Sequence, residues 1–285
     1  MGDYTVFHHM PWTGTYSIYF FVIGISAALF FFSTLSWYRE EFKPLRTSAF
    51  YASFVLLAVG GLLLIGDLSQ PLRFFYILNP FHLNLGSPLA WGSLNLVLFG
   101  IVSIAYFLMM RRNDENSSRQ LAVVGALLGL GLPLYTGFDL TVHQSRPVWN
   151  TPLMPVLFVA LSLVSGAAVA TFLAKGEAKL MGALRHIMLW TTGAIAAMLV
   201  SFLGTTLYGG SGQELTFILM TTGSLGLIFV GIGIVLGTAA PAAVLLAPFG
   251  KQKGGVMVAA LLLLAGGMAL RYAILIGGQI VQTYY

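Results

Sequence analysis

Tyr135, Asp139 and His143 recur every fourth residue, so a helix that carries all three presents them on one face. At 1.5 Å per residue the stripe climbs about 12 Å. A phenol that donates to a carbonyl, a carboxylate, and an imidazole titrating near neutrality form a set suited to a proton-coupled redox ligand. The competing reading is an interfacial tyrosine in an aromatic belt, with a solvated Asp and His beyond it. Pro133 lies just below the stripe and sets a kink that loosens its spacing. Asp67, with Arg73 six residues on, is either half of a loop-stabilising ion pair or a proton carrier at a pocket mouth. Trp91 and Asn95 share a helical face; Asn95 is read as interhelical glue or as a ligand contact, and Trp91 as a stacking partner. Tyr16 and Tyr19 suit an aromatic belt or a binding wall equally well. Arg271 is expected either to snorkel outward or to pair internally with a carboxylate, and pairing is the favoured reading. His8, His9, His82 and His186 are placed near span ends and loops.

The elements that must hold these residues are dictated by composition. Of 285 residues, 58% are hydrophobic and 8% charged, against roughly 25% charged in a soluble domain. That excludes disorder, nucleic-acid binding and a soluble enzyme fold. Eight apolar runs long enough to cross a bilayer are placed at 14–37, 48–68, 89–110, 121–140, 153–173, 187–207, 217–236 and 256–276. Continuous runs of this length do not alternate as barrel strands do, so the fold class is an all-α integral membrane protein with eight transmembrane helices. No cysteine is present, which excludes thiolate metal sites and Cys-ligated iron–sulfur clusters in this chain. None of the five histidines falls in the middle of a span, which argues against an axial haem ligand. The chain has no strand–helix glycine pattern of the kind that cradles a nucleotide.

Arg39, Lys43, Arg46, Arg111, Arg112, Arg119, Lys175, Lys179, Arg185, Lys251 and Lys253 fall on one side of the eight spans, and only Arg73 and Arg146 in loops of the other. The positive-inside rule assigns the first set to the cytoplasm and both termini to the outside. The expected location is therefore a bacterial or archaeal cytoplasmic membrane. The outer side holds the two loops 69–88 and 141–152, rich in Pro, Asn and aromatic residues, where function is expected to concentrate. Residues 92–100 echo 223–231, and a weaker echo relates residues 26–28 to 166–168. An offset of four helices preserves orientation, giving a parallel repeat of two four-helix bundles divided as 1–150 and 151–285.

Four stretches carry a resemblance. Tyr135-Thr136-Gly137-Phe138, then Ser145-Arg146-Pro147-Val148-Trp149-Asn150-Thr151-Pro152, Pro155 and Ser165-Gly166-Ala167-Ala168, resembles the core signature of the NrfD/polysulfide reductase membrane-subunit family. Asp67-Leu68 with Pro71-Leu72-Arg73-Phe74, Ser87-Pro88-Leu89-Ala90-Trp91-Gly92, and Arg271-Tyr272 through Gly278-Gln279 resemble further stretches of that family, in order. The resemblance implies a quinol-binding anchor, using menaquinone or ubiquinone, without haem or an iron–sulfur cluster of its own. It implies a four-cluster iron–sulfur subunit and often a molybdopterin catalytic subunit outside the membrane, with membrane lipid as the other neighbour. It places the quinone site in the first bundle near the outer face, with Tyr135 on the ring and polar contacts from the first helix near Tyr16 and Tyr19. Asp139, His143 or Asp67 would take the protons. Two other classes compete: a secondary transporter, which would need polar residues at the midplane of both halves, and a structural anchor without a quinone site.

Overall fold

The computed structural model describes residues 12–67 and 86–281. His8, His9, Arg73, His82 and most of the loop 69–88 therefore lie outside the described residues, as does the side chain of Asp67. Among the described residues the structure is helical, without strands, and eight helices are long and apolar enough to cross a membrane.

Thr13 starts α1 (Gly14–Leu35) by accepting from the Thr15 N–H, so one of the free donors of the first turn is satisfied. A 3₁₀ turn (Glu40–Leu45) leads into α2 (Arg46–Asp67). Pro88 opens α3 (Pro88–Arg111) at a position where its missing N–H would have had no intrahelical partner. Asp114 caps α4 (Glu115–Thr141) by accepting from Ser117 N–H at 3.0 Å. Then come α5 (Leu153–Leu173), α6 (Ala178–Leu207) and the short α7 (Ser211–Thr221). The chain continues as α8 (Leu227–Leu246), π-helical as far as Ala239, and α9 (Lys253–Ile280).

Three helices form the centre. Within its apolar stretch α1 is 72% buried, α5 67% and α9 61%, against 22% for α2 and α3, whose outward side chains face lipid. The central helix α1 packs on α2 and α4 on one side and on α5 and α9 on the other. The first side is filled with rings: Phe30, Phe50, Phe99 and Tyr106 lie 4.9–5.9 Å apart and are fully buried. The second side is built on small residues, such as Ala28 against Gly166, which bring backbones close. Ser26 and Ser53 exchange hydroxyl-to-carbonyl hydrogen bonds of 2.8 and 2.7 Å between α1 and α2.

Two spans depart most from their expected bounds. The sixth begins at Ala178 rather than at 187, and the seventh runs Leu227–Leu246 instead of 217–236. Residues 217–246 are one long apolar stretch, so hydropathy alone does not locate its start. The chain breaks over 222–225, where it leaves α7. The echo of 92–100 in 223–231 consequently pairs a regular stretch of α3 with a turn and a π-helix.

A tyrosine and carboxylate cluster between the first and fourth helices

Gly92 lies in the second turn of α3, facing α4. The phenol end of the Tyr135 ring fills the space that a side chain at 92 would take: a Cβ there would sit 1.9 Å from Cζ and 2.0 and 2.2 Å from the two Cε atoms. The absence of a side chain at Gly92 thus fixes where the Tyr135 hydroxyl points. Gly137, two residues later, meets the Pro155 backbone so closely that a Cβ would lie 2.3 Å from its Cα, which locks α4 to the start of α5.

Tyr16 and Tyr19 come from α1, and both lie within electrostatic reach of Tyr135, as does Asp139. Tyr19 is buried with its ring tilted against Phe20, while Tyr16 and Tyr135 are half-buried. Asp139 is only 9% exposed, and no described residue hydrogen-bonds its carboxylate. Leu134, Phe138 and Trp91 flank the cluster as exposed side chains, so it borders the lipid-facing surface.

The other candidates divide. Asn95 donates from Nδ2 to the Leu128 carbonyl at 3.0 Å, tying α3 to α4 as interhelical glue. His143 leaves the stripe, because α4 ends at Thr141 and the chain turns. Its ring joins Trp12 and Trp149 in a three-ring cluster, with centroids 5.7 and 5.5 Å away. Burial first, and the neighbouring Arg146 charge second, hold the His143 pKa below its ordinary value, favouring the neutral ring.

Arg271 departs from both expectations among the described residues. It is fully buried and pairs with no described carboxylate: Nη2 donates to Ser162 Oγ at 3.0 Å and Nη1 to the Gly267 carbonyl at 2.9 Å. The Phe21 ring lies 5.5 Å from the guanidinium, and Nε has no partner among the described residues. Close packing of α5 on α9 brings Ser162 to it, the Gly267 carbonyl lies one turn back on α9 itself, and α1, α5 and α9 carry no acid.

A second closure, of the segment 145–150 on the end of α9, was also invisible to helical periodicity. Trp149 donates from its indole to the Ile274 carbonyl at 2.8 Å, and Arg146 donates to the Gly278 carbonyl at 2.7 Å. Gln279 in turn donates to the Trp12 carbonyl at 2.8 Å. The segment 145–150, marked in the sequence as a signature, therefore binds the last turns of α9. Notice of both segments came from the family resemblance, which marked 145–152 and 271–279.

A family model described as "Polysulphide reductase, NrfD" matches residues 5–282. The chain belongs to the NrfD family. It is 30% identical to a polysulfide reductase chain of Wolinella succinogenes, over 98% of this protein and 97% of that one. It is 27% identical to protein NrfD of Escherichia coli, over 96% of both. With a tetrathionate reductase subunit of Salmonella typhimurium the identity is 28%, over 70% of this protein and 59% of that one. In this NrfD protein no group of three or more His, Asp or Glu residues able to hold a metal ion occurs among the described residues.

Proposed function

We propose that this NrfD protein is the membrane subunit of a reductase complex and exchanges two electrons between a membrane quinol and an extracytoplasmic partner, the two protons of each quinol being released to water, or taken up from it when the flow is reversed. The observation that carries the reading is the Tyr135 hydroxyl, fixed by Gly92 one turn below an Asp139 carboxylate that has no hydrogen-bond partner among the described residues. A ring carbonyl needs a donor that keeps its proton near neutral pH, and a phenol provides one. Tyr135 binds and orients the ring, Tyr19 and Tyr16 wall it from α1, and Trp91 stacks at the lipid side. Asn95 sets the α3–α4 spacing. Asp139 accepts the released proton and passes it outward, with Asp67 as the second acceptor. His143, neutral in its ring cluster, stands next on the way to water. The quinol is menaquinone or ubiquinone.

The relatives named as polysulfide and tetrathionate reductase subunits support the complex. In this reading a four-cluster iron–sulfur subunit docks on the outer loops 69–88 and 141–152, and a molybdopterin subunit completes the chain of transfer. The site belongs to the first half, 1–150, and 151–285 supports it. Both termini lie outside.

In the assembled complex, Tyr135→Phe should weaken quinol binding roughly two- to tenfold, the value of one hydrogen bond to a neutral ligand. Asp139→Asn should leave binding intact and slow quinol oxidation. Parental rates for both variants from pH 6 to 9, with normal subunit stoichiometry, would leave the protein as an anchor without this site.

A further inference from the structure

On the face opposite the tyrosine cluster, the basic residues of the two halves of the chain are used differently. In the first half Arg46 stacks on Trp37 at 3.7 Å and bonds Ser36, Arg119 lies 4.5 Å over Tyr38, Arg111 lies 5.8 Å from the Phe107 ring, and Lys43 pairs with Glu40 at 2.7 Å. In the second half Arg185 donates to the Leu245 carbonyl. Four exposed lysines remain: Lys175 and Lys179 at the α5–α6 turn, Lys251 and Lys253 at the α8–α9 turn. None of the four has an ion pair among the described residues, and the one acid in these turns, Glu177, is exposed and unpaired as well.

The two turns meet, although three helices separate them along the chain. The Lys253 ammonium lies over Gly176, where a Cβ would come within 2.9 Å of Nζ; Gly176 has φ 84°, a conformation that also favours glycine. The two adjoining turns carry four like charges that repel one another, offset only by the single acid Glu177, which pairs with none of them. Beside them Leu246 is 66% exposed and Phe249 47% exposed, so the charges sit directly on an apolar, lipid-facing flank. A lysine ammonium is a compact, freely rotating point charge that can approach a phosphate from any side, whereas Arg46, Arg111 and Arg119 of the first half lie over aromatic rings and Arg39 and Arg112 are exposed.

We propose that this corner, formed by the α5–α6 and α8–α9 turns, binds the headgroup of an anionic phospholipid, with Lys175, Lys179, Lys251 and Lys253 around the phosphate and Leu246 and Phe249 against the acyl chains. The lipid neutralises the charge cluster and ties the two turns together. The site is independent of the quinol reading.

The test uses the purified full chain in a neutral detergent, and follows its thermal midpoint during titration with phosphatidylglycerol, phosphatidylcholine or inorganic phosphate. Phosphatidylglycerol should raise the midpoint saturably, phosphatidylcholine should not, and inorganic phosphate should have no effect at matched concentration. Each lysine-to-glutamine change should weaken the phosphatidylglycerol response about fivefold, and Lys43→Gln should leave it unchanged. If replacing all four lysines prevents folding, Lys175→Gln with Lys251→Gln reads the same effect. Equal stabilisation by both lipids, an unchanged response in these variants, or a phosphate effect as large as that of the lipid would overturn the proposal.

Discussion

Replacing Gly92 by alanine should weaken the tyrosine site without touching a polar group. The new Cβ would stand 1.9 Å from Tyr135 Cζ, roughly 1.5–2 Å short of the 3.5–4.0 Å at which carbon atoms meet. The ring has to retreat by about that much, which carries its hydroxyl out of the 2.5–3.0 Å range of an O–H donor. The ligand bond, about 0.5–1.5 kcal/mol, is lost, so the affinity loss should match that of Tyr135→Phe, roughly two- to tenfold. Overpacking should destabilise the fold by about 1–3 kcal/mol in addition. Gly100→Ala is the control: it lies in the same helix, and a Cβ there meets nothing within 4 Å. The assay is quinol binding and steady-state quinol oxidation by the assembled complex, with thermal unfolding alongside. If Gly92→Ala binds and oxidises quinol as Gly100→Ala does, Tyr135 does not hold the ring.

Arg271→Met should be neutral or stabilising by about 1–4 kcal/mol, because it removes a buried cation that has no described carboxylate partner and leaves Ser162 Oγ bonded to Phe158; a lower thermal midpoint would show that the charge is compensated. For His143 the folded pKa lies below the unfolded value of 6.5, so below that pH the unfolded chain binds more protons and stability falls as pH drops. His143→Gln should flatten the decline in thermal midpoint between pH 7 and 5, and an unchanged slope would remove His143 as its source. Trp149→Phe deletes the donor to the Ile274 carbonyl and should lower stability by about 0.5–1.5 kcal/mol, read from the same melts.

Eight spans were legible because twenty apolar residues in a row admit little else, and the fifth was placed at both ends, as 153–173. The seventh was displaced because hydropathy is continuous across 217–246, while the break depends on how the backbone around Gly223 packs. Tyr135 and Asp139 were readable as a stripe since a helix fixes its own four-residue neighbours. Gly92 was not readable as the seat of Tyr135, because that contact crosses from α3 to α4 and glycine offers no chemistry to notice. Arg271 was expected beside an acid on general grounds of charge. Its partners are a hydroxyl and a carbonyl, groups common in every span and thus without signal. His143 fell out of the stripe because periodicity does not register where a helix stops.

The hydrogen bonds of Arg146, Trp149 and Gln279 have a consequence in the order of synthesis. The loop that follows the tyrosine helix is fastened to residues 274–279, and Gln279 in turn fastens Trp12, which precedes α1. The first half emerges and enters the bilayer well before those residues are made. The rim that these bonds close can take its final shape only after the last helix has been made and inserted, so a chain arrested midway lacks the completed rim.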